Sequence, residues 1–181
     1  MLNRTVRWAA SAWDGLEHLE LRETHNEIVA NSALVGSFNN HPHGTRYEIH
    51  LGLDWVFRSL LLEQMDGRRL ELWRDGDDWL LQDKVAEHLA GCVDLDLSGS
   101  PFTNTLPIRR LPWKVGEPQR LRMAYVPFDT LVPFADGQIY TRLSPSAFRY
   151  QSEDGTFEQT ISVDADGLVT DYPTLFEMQP N

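Results

Sequence analysis

The chain has 181 residues, a mass of 20.8 kDa and a formal net charge of −11 at pH 7. This length fits a single domain covering residues 1–181, in which roughly 70% of the unfolded surface can be buried. The acidic balance argues against nucleic acid and anionic lipid surfaces as partners, because phosphate binding needs a concentrated positive field.

We expect no targeting segment in the first residues. No apolar run of about 7–15 residues separates Arg7 from Asp14, and no stretch approaches the roughly 18 apolar residues of a membrane span. The single cysteine, Cys92, excludes an internal disulfide and is typical of a reducing compartment. We therefore expect a cytoplasmic protein that does not span a membrane, with Cys92 as a small core residue.

Three histidines, His25, His41 and His43, are the first candidates for chemistry along the chain. Imidazoles two residues apart can bind a transition metal, but neither a cysteine nor a recognisable acidic partner accompanies them. The plainer interpretation of residues 39–44 is a polar loop around a proline. We expect neither a metal nor another cofactor.

Alternation of apolar and polar residues dominates the rest of the chain. Tyr47, Ile49 and Leu51 fall on one face of a predicted strand over residues 46–51. The same period recurs at residues 93–97, 120–125, 138–143 and 158–163. Six Asp-Gly dipeptides favour tight turns between strands. The pattern predicts an all-β, mainly antiparallel fold.

Two segments are compatible with helices. Residues 55–65 open with Trp, Val and Phe and are closed by Asp66-Gly67, so we favour a strand there. Residues 84–90 are compatible with a short turn of helix. We therefore expect at most one or two short helices.

Asp94 and Asp96 fall on the same face of the predicted strand over residues 93–97. Two carboxyl groups this close can raise one another's pKa, as in a general-acid pair; the alternative is a hydrated strand face. The sequence shows no serine nucleophile elbow, no histidine partner for Cys92 and no phosphate-binding glycine loop. We therefore predict no catalytic residues.

The segment Ser100–Leu111 departs from the alternation. Pro101 and Pro107 lack an N–H and favour extended predecessors, so we predict that the segment stays out of a helix. The segment would then either line a binding site or cross irregularly between strands. Thr103 and Asn104, which lie between the prolines, are candidates for hydrogen bonds to a polar ligand.

Arg109 and Arg110 follow directly. Neighbours on an extended segment point to opposite faces, so at most one of them turns inward. A buried guanidinium must pair with a carboxylate, such as Asp94, Asp96 or Glu48, or with a polar ligand head group. Both alternatives stay open, and Arg109 is our candidate for binding the ligand.

Aromatic residues provide the remaining candidates. The six tryptophans and five tyrosines suit both core packing and contact with sugars or acyl chains. We expect most of them in the core. Trp113 and Tyr125, which follow the arginine segment, are our candidates for lining a cavity.

Several segments together resemble the putative glycolipid-binding family of bacterial proteins, formerly a domain of unknown function. The resemblance implies a spiral β-roll, which is a strongly curved, mostly antiparallel sheet related in shape to carriers of lipoproteins and lipids. It supplies no catalytic residues. The segments that carry it are residues 30–36, Asp75-Gly76 with Trp79, residues 93–97, 100–111 and 163–169, and Tyr172-Pro173.

The resemblance and the composition of residues 100–113 suggest non-catalytic binding of an amphiphile, a glycolipid or other lipid, in a concave β-roll. Acyl chains would lie on the apolar face, where each buried methylene contributes about 0.8 kcal/mol. The alternatives are a protein interaction module or homodimer with a flat apolar patch, and an enzyme acting on a sugar or ester with converging titratable groups.

Overall fold

A computed structural model describes residues 1–38 and 41–180. Fifteen strands in this part of the chain form one sheet. They are β1 (Asn3–Ala10), β2 (Gly15–Glu23), β3 (Ile28–Phe38), β4 (His41–Leu51), β5 (Phe57–Gln64), β6 (Arg69–Asp75), β7 (Asp78–Leu81), β8 (Lys84–Val85), β9 (Asp94–Leu97), β10 (Pro118–Val126), β11 (Phe134–Ser144), β12 (Ala147–Ser152), β13 (Glu158–Val163), β14 (Val169–Tyr172) and β15 (Phe176–Gln179). The other regular elements are the 3₁₀ turns Glu87–Leu89 and Pro101–Asn104 and helix α1 (Thr105–Arg110).

The sheet consists of two meanders that meet at β1 and β15. From β1 the neighbours follow chain order out to β8, and from β15 they run in reverse order out to β9. The pair β9–β10 is parallel and the other neighbouring pairs are antiparallel. The two edges of the sheet, β8 and β9, are therefore consecutive in the chain.

The two ends of this sheet share a core, so the sheet is strongly curled. One cluster of buried side chains draws on β1 to β7 and also on β9 and β10. The Gln64 side-chain amide donates to the carbonyl oxygen of Phe128 at 2.7 Å, and the Trp79 indole donates to that of Cys92 at 2.9 Å. The predicted all-β, mainly antiparallel and strongly curved architecture is confirmed, as is the burial of Cys92.

A second cluster of buried side chains lies between helix α1 and strands β11 to β15. Its aromatic members are Tyr140, Phe148, Tyr150, Tyr172 and Phe176. The rings of Tyr140 and Tyr150 meet nearly at right angles, with centroids 5.2 Å apart. Interlocked rings of this kind have defined orientations.

The strand predicted at residues 55–65 is confirmed as β5, but the prediction that Ser100–Leu111 stays out of a helix is wrong. Pro101 opens the 3₁₀ turn and Pro107 is the third residue of α1. The first N–H groups of a helix have no intrahelical acceptor, so proline costs little there. The Ser100 hydroxyl accepts from the Phe102 N–H at 3.2 Å and caps the turn.

The histidine segment is also different from the expected loop. Residues 41–44 belong to β4, where Pro42 lies opposite Ser37 of β3; Asn39 and Asn40 lie outside the described residues. His43 Nδ1 is 3.1 Å from the Thr45 hydroxyl. Within residues 1–38 and 41–180, no three His, Cys, Asp or Glu side chains are grouped to hold a metal ion. No helix in the same part of the chain is long and apolar enough to cross a membrane.

A close backbone approach explains the glycine at position 36. A Cβ atom there would lie 2.3 Å from the Asp14 carbonyl oxygen, which also accepts from the Ser37 N–H at 2.7 Å. We expect Gly36→Ala to lower the free energy of unfolding, measured in urea, by about 1–3 kcal/mol. In the control Gly44→Ala, the new methyl group meets only the flexible, exposed Met65 side chain. Equal losses in the two variants would contradict this explanation.

Candidate functional site

A cavity of about 200 Å³ opens between the 3₁₀ turn Pro101–Asn104 and strands β9, β10, β12, β14 and β15. We call it the tyrosine cavity, because three tyrosines line it. Its aromatic lining is Tyr125, Tyr150, Phe157, Tyr172 and Phe176, and its other lining residues are Asp96, Leu97, Ser98, Ser100, Asn104 and Leu175.

Asp96 is the carboxyl group of this cavity and is 9% exposed. Its Oδ1 accepts from the Thr103 hydroxyl at 2.9 Å, and its Oδ2 accepts from the Gln138 amide at 2.6 Å. Burial raises the pKa of Asp96, the two hydrogen bonds oppose that rise, and the charge of Asp136 adds to it. Both oxygens are therefore held in place by the protein.

Asn104 is tied to Asp96 through a buried chain of hydrogen bonds. Its Nδ2 donates to the Tyr140 hydroxyl at 2.7 Å, and that hydroxyl donates to Gln138 Oε1 at 3.4 Å. Gln138 in turn donates to Asp96. Because the amide is anchored through its nitrogen, the Asn104 Oδ1 atom is left to accept a hydrogen bond from a ligand.

The aromatic walls are mutually fixed. The Tyr150 ring lies 5.8 Å from the Phe157 ring and 6.1 Å from the Tyr172 ring, in edge-to-face arrangements. Burial raises the pKa of Tyr125 to about 12, and the charge of Asp96 contributes to that rise. Burial also raises the pKa of Tyr150 and Tyr172. At neutral pH these side chains therefore present flat rings and uncharged hydroxyl groups.

A second buried carboxyl group, Glu17, lies one hydrogen bond away from the cavity. Its Oε1 accepts from the hydroxyls of Tyr47 at 2.6 Å, Ser32 at 2.7 Å and Ser100 at 2.9 Å. Its Oε2 is buried without a partner among the described residues. Burial raises the pKa of Glu17 to about 7, against the opposing effect of the three hydroxyls. Ser100 lines the tyrosine cavity, so it links the two carboxyl regions.

Another cavity, of about 180 Å³, lies at the far end of α1. We call it the arginine cavity, because Arg109 and Arg142 both line it. Its remaining lining residues are Ile108, Leu111, Trp113, Pro145, Phe148, Val163, Asp164, Ala165 and Gly167.

Arg110 turns inward and pairs with Asp94, which is completely buried. The guanidinium Nε lies 3.1 Å from Oδ1 of the carboxylate and Nη2 lies 2.6 Å from Oδ2. For Arg110, the structure therefore shows the ion pair, one of the two alternatives that the sequence left open. The hydrated face considered for Asp94 and Asp96 is wrong, because α1, its preceding turn and β11 cover it.

The family described as "Putative glycolipid-binding" matches residues 5–178. The chain belongs to this family. A similar solved structure is the crystal structure of a DUF1089 family protein from Pseudomonas aeruginosa, which is 34% identical, with a TM-score of 0.80 over 90% of this chain and 91% of that chain. No curated protein matches the chain. The predicted family resemblance is thus confirmed.

In this member of the family, the five predicted ligand residues form two groups. Asn104 and Tyr125 line the tyrosine cavity, and Thr103 stands behind it, holding Asp96. Arg109 and Trp113 line the arginine cavity instead. The structure therefore does not bring the five residues together around one ligand.

Sequence reasoning missed Glu17 in this family member, although a signal was present. Glu17 has the same parity as Leu19 and Leu21 in β2, and all three face the interior. A strict period of two would have placed this carboxyl group inside. Its three hydroxyl partners come from other segments, which no local pattern could identify.

Proposed function

We propose that the tyrosine cavity binds the sugar head group of a glycolipid without catalysing a reaction on it. The observation that carries the proposal is the combination of fixed aromatic rings with buried hydrogen-bonding groups in one cavity. Ligand sites are typically apolar and aromatic, with a few placed polar groups that orient the ligand. Flat rings suit the C–H faces of a sugar, and its hydroxyls can reach Asp96 and Asn104.

The hydrogen bonds of Asp96 support binding over proton transfer. Thr103 and Gln138 each occupy one of its oxygens, so the carboxyl group is a positioned acceptor with remaining lone pairs. A general acid must instead present its proton to the reacting atom. The same contacts that fix Asp96 make it a recognition group.

The size of the cavity favours a head group over a whole lipid. Its volume of about 200 Å³ lies below the range of about 300–1,000 Å³ typical of drug-sized ligands. The inner face of the curled sheet, which we expected to receive acyl chains, is filled by the two core clusters. The proposal therefore places the sugar inside the cavity and the acyl chains beyond its rim.

The lining also favours an uncharged sugar. Among the described residues that line the tyrosine cavity, none is basic. An anionic head group would meet Asp96 and uncharged tyrosine hydroxyls without a compensating cation. Arg109, our candidate for contact with a polar head group, lines the other cavity.

Calorimetric titration with soluble probes tests this function. We expect saturable binding of at least one of octyl glucoside, octyl galactoside and octyl mannoside, each below its critical micelle concentration. Octyl tetraethylene glycol has the same chain without a sugar, and we expect it not to bind. Equal binding of that probe, or binding of none of the glycosides, would overturn the proposal.

Asn104→Ala and Tyr125→Ala are each expected to lower the affinity for the glycoside at least about 10-fold. The first variant loses a hydrogen bond to the sugar and the second loses a ring face. Asn26→Ala, in an exposed turn, is the matched control and is expected to bind like the wild type. Thermal unfolding of each variant verifies that the fold is retained. Unchanged affinity in both cavity variants would rule out the tyrosine cavity as the site.

We place this function in the cytoplasm, as the single buried cysteine suggests. An interaction module or homodimer is the alternative reading of the chain. Sedimentation velocity tests the homodimer. We expect the mass of a monomer with and without the glycoside, whereas a homodimer would have twice that mass.

A further inference from the structure

We propose that the arginine cavity is a second binding site, specific for a phosphate group. The proposal uses residues other than those of the tyrosine cavity and does not depend on sugar binding there. Arg109 comes from α1 and Arg142 from β11, and both line the same cavity of about 180 Å³. Two arginine side chains that line one cavity supply guanidinium donors of the kind that bind phosphate in a bidentate manner.

Both guanidinium groups are held by aromatic rings. The Arg109 Cζ atom lies 5.2 Å from the ring centre of Trp55, and the Arg142 Cζ atom lies 6.0 Å from that of Phe148. A contact with a ring face stabilises the positive charge without neutralising it. Each cation is thus oriented with its charge available to an anion.

Their N–H donors are largely unused. Within residues 1–38 and 41–180, neither arginine has a carboxylate oxygen within 4.0 Å. Arg142 Nε donates to the Ser144 carbonyl oxygen at 3.1 Å, which leaves its two terminal nitrogens for a ligand. In a chain with a net charge of −11, two cations without an acidic partner in one cavity indicate an anionic ligand.

The acidic residue in the lining, Asp164, already has hydrogen-bond partners of its own. Its Oδ2 accepts from Arg4 Nη2 at 2.8 Å, and its Oδ1 accepts from the backbone N–H groups of Asp166 and Leu168, each at 2.9 Å. Arg4 also pairs with the Asp166 carboxylate. Asp164 therefore shapes the wall of the cavity through its turn and does not occupy the two lining arginines.

The other walls are rigid. Trp113 Nε1 donates to the carbonyl oxygens of Pro107 and Ile108 at 3.2 and 3.1 Å, which fixes the indole ring. The aliphatic part of Arg109 runs across Gly167, where a Cβ atom would lie 3.0 Å from the arginine Cδ. Donors fixed in advance bind an anion with less loss of conformational entropy.

The first test is titration with inorganic phosphate, followed by ³¹P NMR and calorimetry. We expect saturable binding that weakens at least about 10-fold in Arg109→Gln and in Arg142→Gln. Arg120→Gln is the matched control: it removes the same charge from an exposed arginine that pairs with Glu153 at 3.2 Å, and we expect less than a twofold change. Arg109→Lys keeps the charge but loses the bidentate geometry, so it is also expected to bind more weakly.

Two further probes identify the source of the phosphate group. Glycerol 3-phosphate represents a soluble metabolite, and dihexanoyl phosphatidic acid, below its critical micelle concentration, represents a lipid head group. Tighter binding of the second probe assigns the site to a phospholipid, and equal binding assigns it to a soluble phosphate.

The proposal is overturned if none of the three phosphate probes binds saturably at concentrations up to about 20 mM. This limit lies far above the micromolar dissociation constants of specific recognition. The proposal is also overturned if Arg120→Gln weakens binding as much as the cavity variants do, because the effect would then be long-range charge alone. Thermal unfolding of Arg142→Gln, expected to match that of the wild type, verifies the fold. Unchanged glycoside binding by the same variant would separate this site from the sugar site.

Discussion

Arg110→Met is expected to lower the free energy of unfolding by about 3–5 kcal/mol, because it leaves the buried Asp94 carboxylate without its counter-ion. Asp94 has no exposed surface, and Arg110 holds both of its oxygens at 3.1 and 2.6 Å. The cost arises from an uncompensated charge in the interior. It therefore exceeds what the loss of one exposed ion pair would cause.

The double variant Asp94→Leu/Arg110→Met tests that explanation. Replacing both partners removes the unpaired charge, so we expect it to recover most of the stability lost in Arg110→Met. Arg46→Met breaks the surface pair with Glu63 and is expected to cost about 1 kcal/mol or less. Urea denaturation of the three variants gives the comparison. A loss in Arg110→Met no larger than that in Arg46→Met would show that the pair contributes little.

Glu17→Gln is expected to become more stable than the wild type as the pH rises. The pKa of Glu17 is about 7 in the folded protein, against 4.5 for an ordinary glutamate. Between these values the folded state binds more protons than the unfolded state, so the stability of the wild type falls as the pH rises through this window. With about 1.4 kcal/mol for each pKa unit, the loss is about 3 kcal/mol.

Urea denaturation at about pH 5 and about pH 8 measures this difference. The glutamine cannot ionise, so the gap between wild type and variant should open by about 3 kcal/mol across the range. The raised pKa of Asp96 affects both proteins equally and cancels in the comparison. Glu20→Gln, on the outer face of the same strand, is the control and should follow the wild type. Parallel stability curves for the wild type and Glu17→Gln would contradict the buried-acid assignment.

The strands could be predicted because alternation is a local property. Residues 46–51 place Tyr47, Ile49 and Leu51 inside, as their period requires. The same reasoning went wrong for Asp94 and Asp96, since a two-faced strand looks alike whether water or another element covers its polar face. The element that covers this face is α1 with its preceding turn. We had excluded a helix there because of its two prolines, without considering that proline is tolerated in the first turn of a helix.

The site was predictable only in part, because it is assembled from distant segments. Asn104 and Tyr125 do meet, whereas Arg109 is turned towards another cavity because successive helical residues point about 100° apart. The hydroxyls that surround Glu17 come from residues 15, 30 and 83 positions away. No period or motif relates such positions before the sheet has curled.

The pairing of β1 with β15 in the middle of the sheet bears on how the chain is made. As the polypeptide leaves the ribosome, β1 to β8 can form their meander in order of synthesis. One side of β1 nevertheless stays an open edge until residues 176–179 have emerged, because those residues form its second partner. The nascent chain thus carries an unsatisfied strand while residues 11–175 are made, and open strand edges are where chains aggregate. Closure by a contact spanning almost the entire sequence also makes folding intrinsically slow.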